Sequence, residues 1–412
     1  MNRRQFLRGV ALMGVSASAL AGWRYWPEQG FFNPCRAALP DHLARHELVT
    51  AAWQGLDASK VWDSHAHLIG VGDSGSGVWV NPDMDSWLHP MQYAQKIFFL
   101  NAGCVHEAPK QIDQSYIERM HNLIDGMRPG FKLLLLAFDH NFGADGKMDL
   151  SRSTFYTPNS YARKMAQSYP RYFEWAASIH PYRGDCVEAL DEAAKYGVRA
   201  VKWLPAAMGI DPASKLCDRF YAALARHDIP LITHAGMERA VHGGDAQDYG
   251  NPLKLRRALD HGVRVVIAHC ASMGEDRDLD RGGNGPAIES FLLFARLMDE
   301  SRYVGKLFGD ISAITQINRV EYIKPVLERD DWHARLLNGS DYPLPGVMPL
   351  FSLDLLVEMK LLESAAAPVL KAIREHNPLL FDFVLKRHLR AGAKRFANQL
   401  FETRPFFERS IA

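Results

Sequence analysis

Five side chains in this 412-residue chain are good ligands for a divalent cation, and each falls where a short apolar run ends. His65 and His67 close Val61-Trp62-Asp63-Ser64-His65-Ala66-His67, His234 closes Leu231-Ile232-Thr233-His234, and His269 closes Val265-Val266-Ile267-Ala268-His269. Asp341 follows Leu337-Asn338-Gly339-Ser340. Side chains alternate along a strand, so residues two apart point the same way and His65 and His67 can share one ion. Imidazole nitrogen with carboxylate oxygen suits zinc, and also manganese or iron. One His-x-His is weak evidence, because a histidine at a strand end is usually an ordinary hydrogen-bonded residue. The set is strong, because its members share one end of four different strands. A cation held there lowers the pKa of a water from about 15.7 toward 7 and polarises a carbonyl or phosphoryl oxygen. Asp341 can then take a proton and return it to a leaving group, with His269 beside it as base or electrophilic stabiliser. The leading reaction is hydrolysis of an amide, ester or lactone in a small organic substrate. Metal-assisted decarboxylation of an aromatic or muconate-type acid uses the same groups and is the alternative.

The elements that must position these residues are eight apolar runs, at about 61–67, 132–138, 173–179, 198–204, 229–234, 263–269, 304–311 and 335–340, which read as buried parallel strands. Helical periodicity lies between most of them, for example at 186–196, 212–227 and 252–261, the last entered through Asn251 as cap with Pro252 at the first helical position. Eight strands with intervening helices predict a (β/α)8 barrel, whose active sites lie at the C-terminal ends of the strands. The competing open doubly wound sheet lacks a Gly-x-Gly-x-x-Gly after any strand. Residues 69–130 exceed the needs of the barrel and predict an insertion over its mouth, with a helix near 91–100 and Trp79 and Trp87 in it. Residues 274–285 read as a polar surface loop. The barrel core is expected over about 60–345, with a helical extension over 346–412 whose Phe401, Phe406 and Phe407 fit core packing or a contact between two copies of the chain.

Residues 60–390 resemble the amidohydrolase superfamily, specifically the amidohydrolase-related branch that includes aminocarboxymuconate-semialdehyde decarboxylase. The resemblance rests on Asp63-Ser64-His65-Ala66-His67, Ile232-Thr233-His234, Ala268-His269 and Gly339-Ser340-Asp341-Tyr342-Pro343. It implies a divalent metal on His65, His67, His234 and Asp341, with His269 as base or as ligand to a second metal. Lys202, at the end of the fourth strand, matches a lysine that is carboxylated and bridges two metals in binuclear members. A cationic lysine that binds a substrate carboxylate, or one that snorkels at the rim, is the other reading. The branch contains both hydrolases and decarboxylases, so the fold does not choose between them.

Substrate contacts are expected from His180 at the end of the third strand, though a structural role suits it equally, and from Arg239 and His242 after His234. Trp203, Met208, Trp79 and Trp87 are expected to wall the pocket. No Gly-x-Ser-x-Gly elbow is present, which disfavours a serine hydrolase. Cys270 should point away from the His269 face. A non-catalytic barrel is a third reading, weakened by the complete ligand set. With 48 Lys+Arg against 47 Asp+Glu the chain lacks the basic excess a nucleic-acid partner needs. The five cysteines form no CxxC pair and predict no disulfide framework. Residues 1–30 read as an export leader: Arg3-Arg4 before Phe6-Leu7 resembles a twin-arginine signal, an apolar run follows, and Ala19-Leu20-Ala21 is an A-x-A cleavage site. That run is shorter than the roughly 20 residues of a spanning helix. A bacterial periplasmic location, reached through the twin-arginine machinery, is the expectation, with 31–412 as one metal-dependent barrel domain.

Overall fold

In the computed structural model, residues 27–105, 111–241 and 246–408 are described. His242 and nearly all of the expected leader lie outside them. Eight parallel strands among the described residues follow the predicted runs, each trimmed at its ends: β1 Trp62–His67, β2 Lys132–Leu136, β3 Phe173–Ala176, β4 Val201–Trp203, β5 Leu231–Thr233, β6 Val265–Ile267, β7 Leu307–Asp310 and β8 Leu336–Leu337. They form two arcs, β1-β2-β3 and β4-β5-β6-β7-β8. Parallel bridges at both seams, Ala177 with Val201 and Ala66 with Tyr342, join the arcs into a (β/α)8 barrel. Backbone hydrogen bonds carry the second seam: Ser64 N donates to Asn338 O at 3.1 Å, Asp341 N to His65 O at 2.8 Å and His67 N to Tyr342 O at 2.8 Å.

Register along β1 decides what enters the barrel. Trp62 pairs with Lys132 and Asp63 with Leu133, but Ala66 pairs with Leu135 and His67 with Leu136, so β1 carries one extra residue as a bulge. Trp62 therefore faces inward at the bottom and His67 inward at the top, although they stand five positions apart, an odd number. Without the bulge, inward-facing Trp62 would have put Ser64 and Ala66 on the axis in place of the histidines. The lower interior is filled by Trp62, Leu134, Leu136, Ala176, Ala200, Ile232, Val266 and Leu337. Phe407 packs into this cluster at 1% exposure, with Phe406 beside it and edge-on to Phe308 at 4.6 Å. The aromatic tail thus closes the N-terminal end of the barrel, held by Thr403 Oγ1 donating to Trp62 O and Arg264 Nη1 donating to Phe406 O.

The predicted helices form, with short 3-10 turns at two of their starts. Lys215–Cys217 precedes Asp218–Arg226, and Pro252–Leu255 precedes Arg256–Asp260, where Asn251 accepts from Leu253 N at 3.0 Å as the expected cap. The polar stretch at 274–285 is not a plain loop: Glu275–Arg277 pairs antiparallel with Ala287–Glu289. Its charges are absorbed by neighbours, Arg296 holding Asp278 at 2.6 and 2.9 Å, which is why so polar a sequence forms a hairpin.

The insertion after β1 covers the mouth, as expected. Its loop is tied down by Asp113, which accepts from Val71 N at 2.7 Å, Ser74 Oγ at 2.9 Å and Ser76 Oγ at 2.6 Å. The cover helix Pro90–Ala102 follows, and its far end is bound to the N-terminal segment. Phe32 stacks on Phe98 at 5.7 Å, Asn33 N donates to Asn101 Oδ1 at 2.8 Å, and Cys35 is joined to Cys104 by a disulfide. This corrects the expectation of no disulfide: the partners are 69 residues apart, and only the fold brings them together. Glu28, inside the expected leader, accepts from Leu353 N at 3.2 Å and Asp354 N at 3.1 Å at the start of the helix Leu353–Glu358.

Candidate metal centre

Each of the five expected ligands stands at the C-terminal end of its strand, and the fold brings four of them within a few ångströms. Asp341 Oδ1 lies 3.0 Å from His67 Nε2 and 3.4 Å from His65 Nε2, and Asp341 Oδ2 lies 3.8 Å from His269 Nε2. The His65 and His269 rings stand 5.1 Å apart and the His234 and His269 rings 5.4 Å apart. Lys202 Nζ donates to His65 Nε2 at 3.0 Å. Both ring nitrogens of His234 are buried without a hydrogen-bond partner, although Glu238 Oε2 stands 3.3 Å from Nδ1. That orphaned ring, with the nitrogens of His65 and His67 and the Asp341 carboxylate, is a donor set that fits a divalent ion. His65, His67 and Asp341 form one compact group with metal-ligating atoms, and His65, His269 and Asp310 a second.

Residues absent from the sequence expectations orient this set. Asp310, the last residue of β7, accepts from His65 Nδ1 at 2.9 Å through Oδ2 and from His269 N at 2.8 Å through Oδ1. The proton on Nδ1 leaves the His65 Nε2 lone pair facing the cavity, the arrangement a metal-ligating imidazole needs. His269 Nδ1 donates to Ser312 O at 3.1 Å, which likewise frees its Nε2. Asp63, at the edge of the β1 bulge, accepts from His65 N at 3.1 Å and Ser340 N at 2.8 Å and so ties β1 to the turn that carries Asp341. Gly339 is required in that turn, since a Cβ there would meet His65 Cβ at 2.6 Å. Asp341 (φ 61°) and His269, Cys270 and Ala271 (φ 55°, 51° and 49°) are all left-handed. Such conformations cost about 1–3 kcal/mol each and gather where function overrides local preference.

Electrostatics follow from burial. Burial opposes a charge on Asp341, but His269, His65 and His67 outweigh it and hold the carboxyl well below its usual range. Burial is likewise overcome at Asp310 by His65 and His269, and that carboxyl is also held low. Burial lowers the Lys202 ammonium to about 8 against the pull of Asp310, Asp341 and Glu238. Burial pushes His269 down to about 3, and His234 well down with help from His269 and Lys202, so both rings are neutral. Glu238, largely buried and accepting from Ala240 N at 2.6 Å and Val241 N at 3.0 Å, has its carboxyl raised by burial.

Above the centre lies a cavity of about 410 Å³. Lys202, Glu238, Arg239, Gln316 and Arg319 also line it, and the rest of its wall is mostly apolar, from Val80, Met84, Phe98, Phe99, Phe155 and Leu350. Of the expected substrate contacts, Arg239 reaches the cavity. His180 does not: it is fully buried, with Nε2 donating to Met208 O at 2.8 Å and Nδ1 accepting from Tyr182 N at 3.2 Å. Trp203 does not either, because it alternates with inward Lys202 and stacks outward on Phe220 at 5.6 Å. Met208 is buried, Trp79 turns to His140 and Trp87 is 80% exposed, so the cavity wall is aliphatic and phenylalanine side chains instead. Cys270 points away, its Sγ donating to Asp310 O at 3.2 Å. Asp310 was open to the rule that found Asp341, a polar side chain ending an apolar run, whereas nothing in the sequence signals the burial of Glu238, Gln316 or Arg319.

The chain belongs to the amidohydrolase family, whose model, described as "Amidohydrolase", matches residues 62–381, and it is an enzyme of that type. Among curated proteins no match is found. Similar solved structures include an uncharacterized TIM-barrel protein from Bordetella bronchiseptica, at 16% identity over 76% of this chain and 99% of that one, with a TM-score of 0.45. A putative 2-pyrone-4,6-dicarboxylic acid hydrolase from Pseudomonas putida is 18% identical over 80% of this chain and 99% of that one, with a TM-score of 0.42. A 5-carboxyvanillate decarboxylase from Novosphingobium aromaticivorans with bound manganese is 12% identical over 78% and 96%, with a TM-score of 0.41.

Two outcomes are expected from this geometry. Asp310→Asn should weaken zinc binding, measured by competition with a chromophoric chelator, by about 10- to 100-fold, because the amide no longer fixes the His65 tautomer. His180 is held neutral in the fold, down at about 3, and takes up a proton near 6.5 when unfolded. The unfolded state therefore binds more protons between those values, and stability falls as pH falls through that window. His180→Gln should flatten the loss of unfolding free energy between pH 6.5 and 4, by up to about 1.4 kcal/mol per pH unit, in urea titrations at each pH.

Proposed function

We propose that the protein is a metal-dependent hydrolase that activates water to cleave an amide, ester or lactone bond in a small organic substrate. The observation that carries this reading is the convergence of His65, His67 and Asp341, with the unpartnered ring of His234, at the floor of a largely apolar cavity. Zinc, manganese or iron held by these four residues would polarise a substrate oxygen and acidify a water. Asp341, kept ionised by the imidazoles around it, takes the proton of the attacking water and delivers it to the departing amine or alcohol. His269 presents a free Nε2 beside Asp341 and acts as second base or as hydrogen-bonding partner to the oxygen that gains charge. The apolar cover of the insertion keeps bulk water from the reacting groups.

Lys202 has a choice of two states. Its ammonium and a metal ion compete for the same His65 Nε2, so a loaded centre requires Lys202 to move aside or to be carboxylated. A lysine lowered to about 8 carries enough neutral amine near pH 7 for carboxylation. We favour a single ion, since Asp310, the carboxylate of the second group, is consumed in holding His65 Nδ1 and the His269 backbone.

The test is elemental analysis of protein purified without chelators, together with assays on lactones, esters and amides and a measurement of carbon dioxide release from aromatic acids. About one ion per chain is expected, lost in His234→Ala and unaffected by Lys202→Ala, with hydrolysis reduced by about 10²- to 10⁴-fold in Asp341→Asn. Two ions, reduced by Lys202→Ala, would assign the carboxylated lysine instead. Carbon dioxide release without hydrolysis would make the enzyme a decarboxylase, and absence of metal after reconstitution with zinc or manganese would remove the mechanism.

We further infer export to the periplasm through the twin-arginine machinery, from Arg3-Arg4 and the apolar run after it. The Cys35–Cys104 disulfide supports the reading, because such bonds persist in oxidising compartments. Replacing Arg3 and Arg4 together by Lys should shift the protein from the periplasmic to the cytoplasmic fraction of expressing cells. An unchanged distribution would refute the assignment.

A further inference from the structure

The loop after β7 carries two buried polar side chains that the hydrolytic chemistry does not use. Gln316 is 4% exposed and Arg319 5% exposed, and both line the cavity. Gln316 Nε2 and Arg319 Nε meet no acceptor among the described residues. Arg319 spends one terminal nitrogen on Ser272 Oγ at 3.2 Å, and no carboxylate among the described residues lies within ion-pair distance of it. Burial works against the charge of Arg319 and outweighs Asp341 and Glu238, which favour it without touching it. A guanidinium has five N–H donors and no acceptor, and burying it with most of them unused is costly. Both side chains line the cavity, so a group entering it can satisfy these donors.

We propose that Arg319 and Gln316 form a subsite for a carboxylate of the substrate, carried on an apolar body and distinct from the bond that reacts above His67 and Asp341. The planar fork of Arg319 matches the two oxygens of a carboxylate, and the Gln316 amide adds one donor. The subsite offers one guanidinium fork and one amide, a donor set sized for a single carboxylate. The volume suits one ring or a short branched chain with its substituents. The substrate class is therefore a monoanionic apolar acid whose ester, amide or lactone bond lies away from its carboxylate. The proposal rests on the reading of this cavity as the substrate site.

The test is calorimetric binding of benzoate, phenylacetate and cyclohexanecarboxylate, each against its neutral amide, to the full-length protein stripped of metal with chelator. The acids should bind at least tenfold more tightly than the amides. Arg319→Gln should abolish that preference, Gln316→Leu should reduce it a fewfold, and Arg239→Gln should leave it in place. Equal binding of acid and amide, a preference that survives Arg319→Gln or follows Arg239, or no binding of any acid at millimolar concentration overturns the subsite. If Arg319→Gln does not fold, the opposite responses of Gln316→Leu and Arg239→Gln decide. Because the titration uses stripped protein, an Arg319-dependent preference in a protein that never holds metal would sink the hydrolase reading alone. A metal-loaded protein indifferent to Arg319 would sink only the subsite.

Discussion

One extra residue in the first strand governs the rest of the site. Trp62 must face inward to fill the bottom of the barrel, and His65 and His67 must face inward at the top, yet strand alternation forbids both in a regular strand. The bulge between Asp63 and Ala66 reconciles them, and the fold makes further use of the irregularity. Asp63, at the edge of the bulge and still in register with Leu133, accepts through its side chain from the backbone of His65 and Ser340 at once, so the strand that supplies two histidines is tied to the turn that supplies Asp341. The close approach of that turn to His65 leaves no room for a side chain at 339, and the chain has glycine there.

Behind this floor stands a layer of buried carboxylates, each with a distinct task. Asp310 holds the tautomer of His65 and the backbone of His269, Glu238 faces His234, and Asp63 joins two strands. Their charges differ for physical reasons. Asp310 sits among imidazoles and is held ionised, whereas burial with fewer compensating neighbours pushes Asp63 up to about 6 and raises Glu238 as well. Further back, Lys386 donates to Gly339 O at 2.6 Å and pairs with Asp382 at 2.7 Å, so the Asp341 turn is supported from outside the barrel too.

Both ends of the described chain serve the barrel. The C-terminal tail inserts Phe407 at the bottom, and the N-terminal segment clasps the cover helix at the top through Phe32, Asn33 and Cys35. The cover contributes mostly apolar side chains to the cavity, with Gln95 and Lys96 among them, while Arg319 and Gln316 add polar groups from the loop after β7.

The architecture and the candidate ligands were legible along the chain. Apolar runs long enough to be buried strands recur with helical segments between them, and a ligand-type residue ends four of them, so periodicity and position suffice for the barrel and single out His65, His67, His234, His269 and Asp341 as candidates. Which polar groups lie behind and beside these candidates is fixed by packing between distant segments. Asp310 reaches His65 across 245 positions and Cys35 reaches Cys104 across 69, contacts with no local pattern to announce them. The bulge in β1 is a matter of pairing with β2 and leaves the hydrophobic alternation unmarked. Tryptophans at 79, 87 and 203 looked suited to a pocket by type, but facing is set by register and helix packing, and these turned Trp203 into the outer layer and left Trp87 in solvent. Residue type and spacing along the chain specify what a strand end can do; the surroundings that set its charge, tautomer and reach are assembled from distant segments, and those exist only in the folded state.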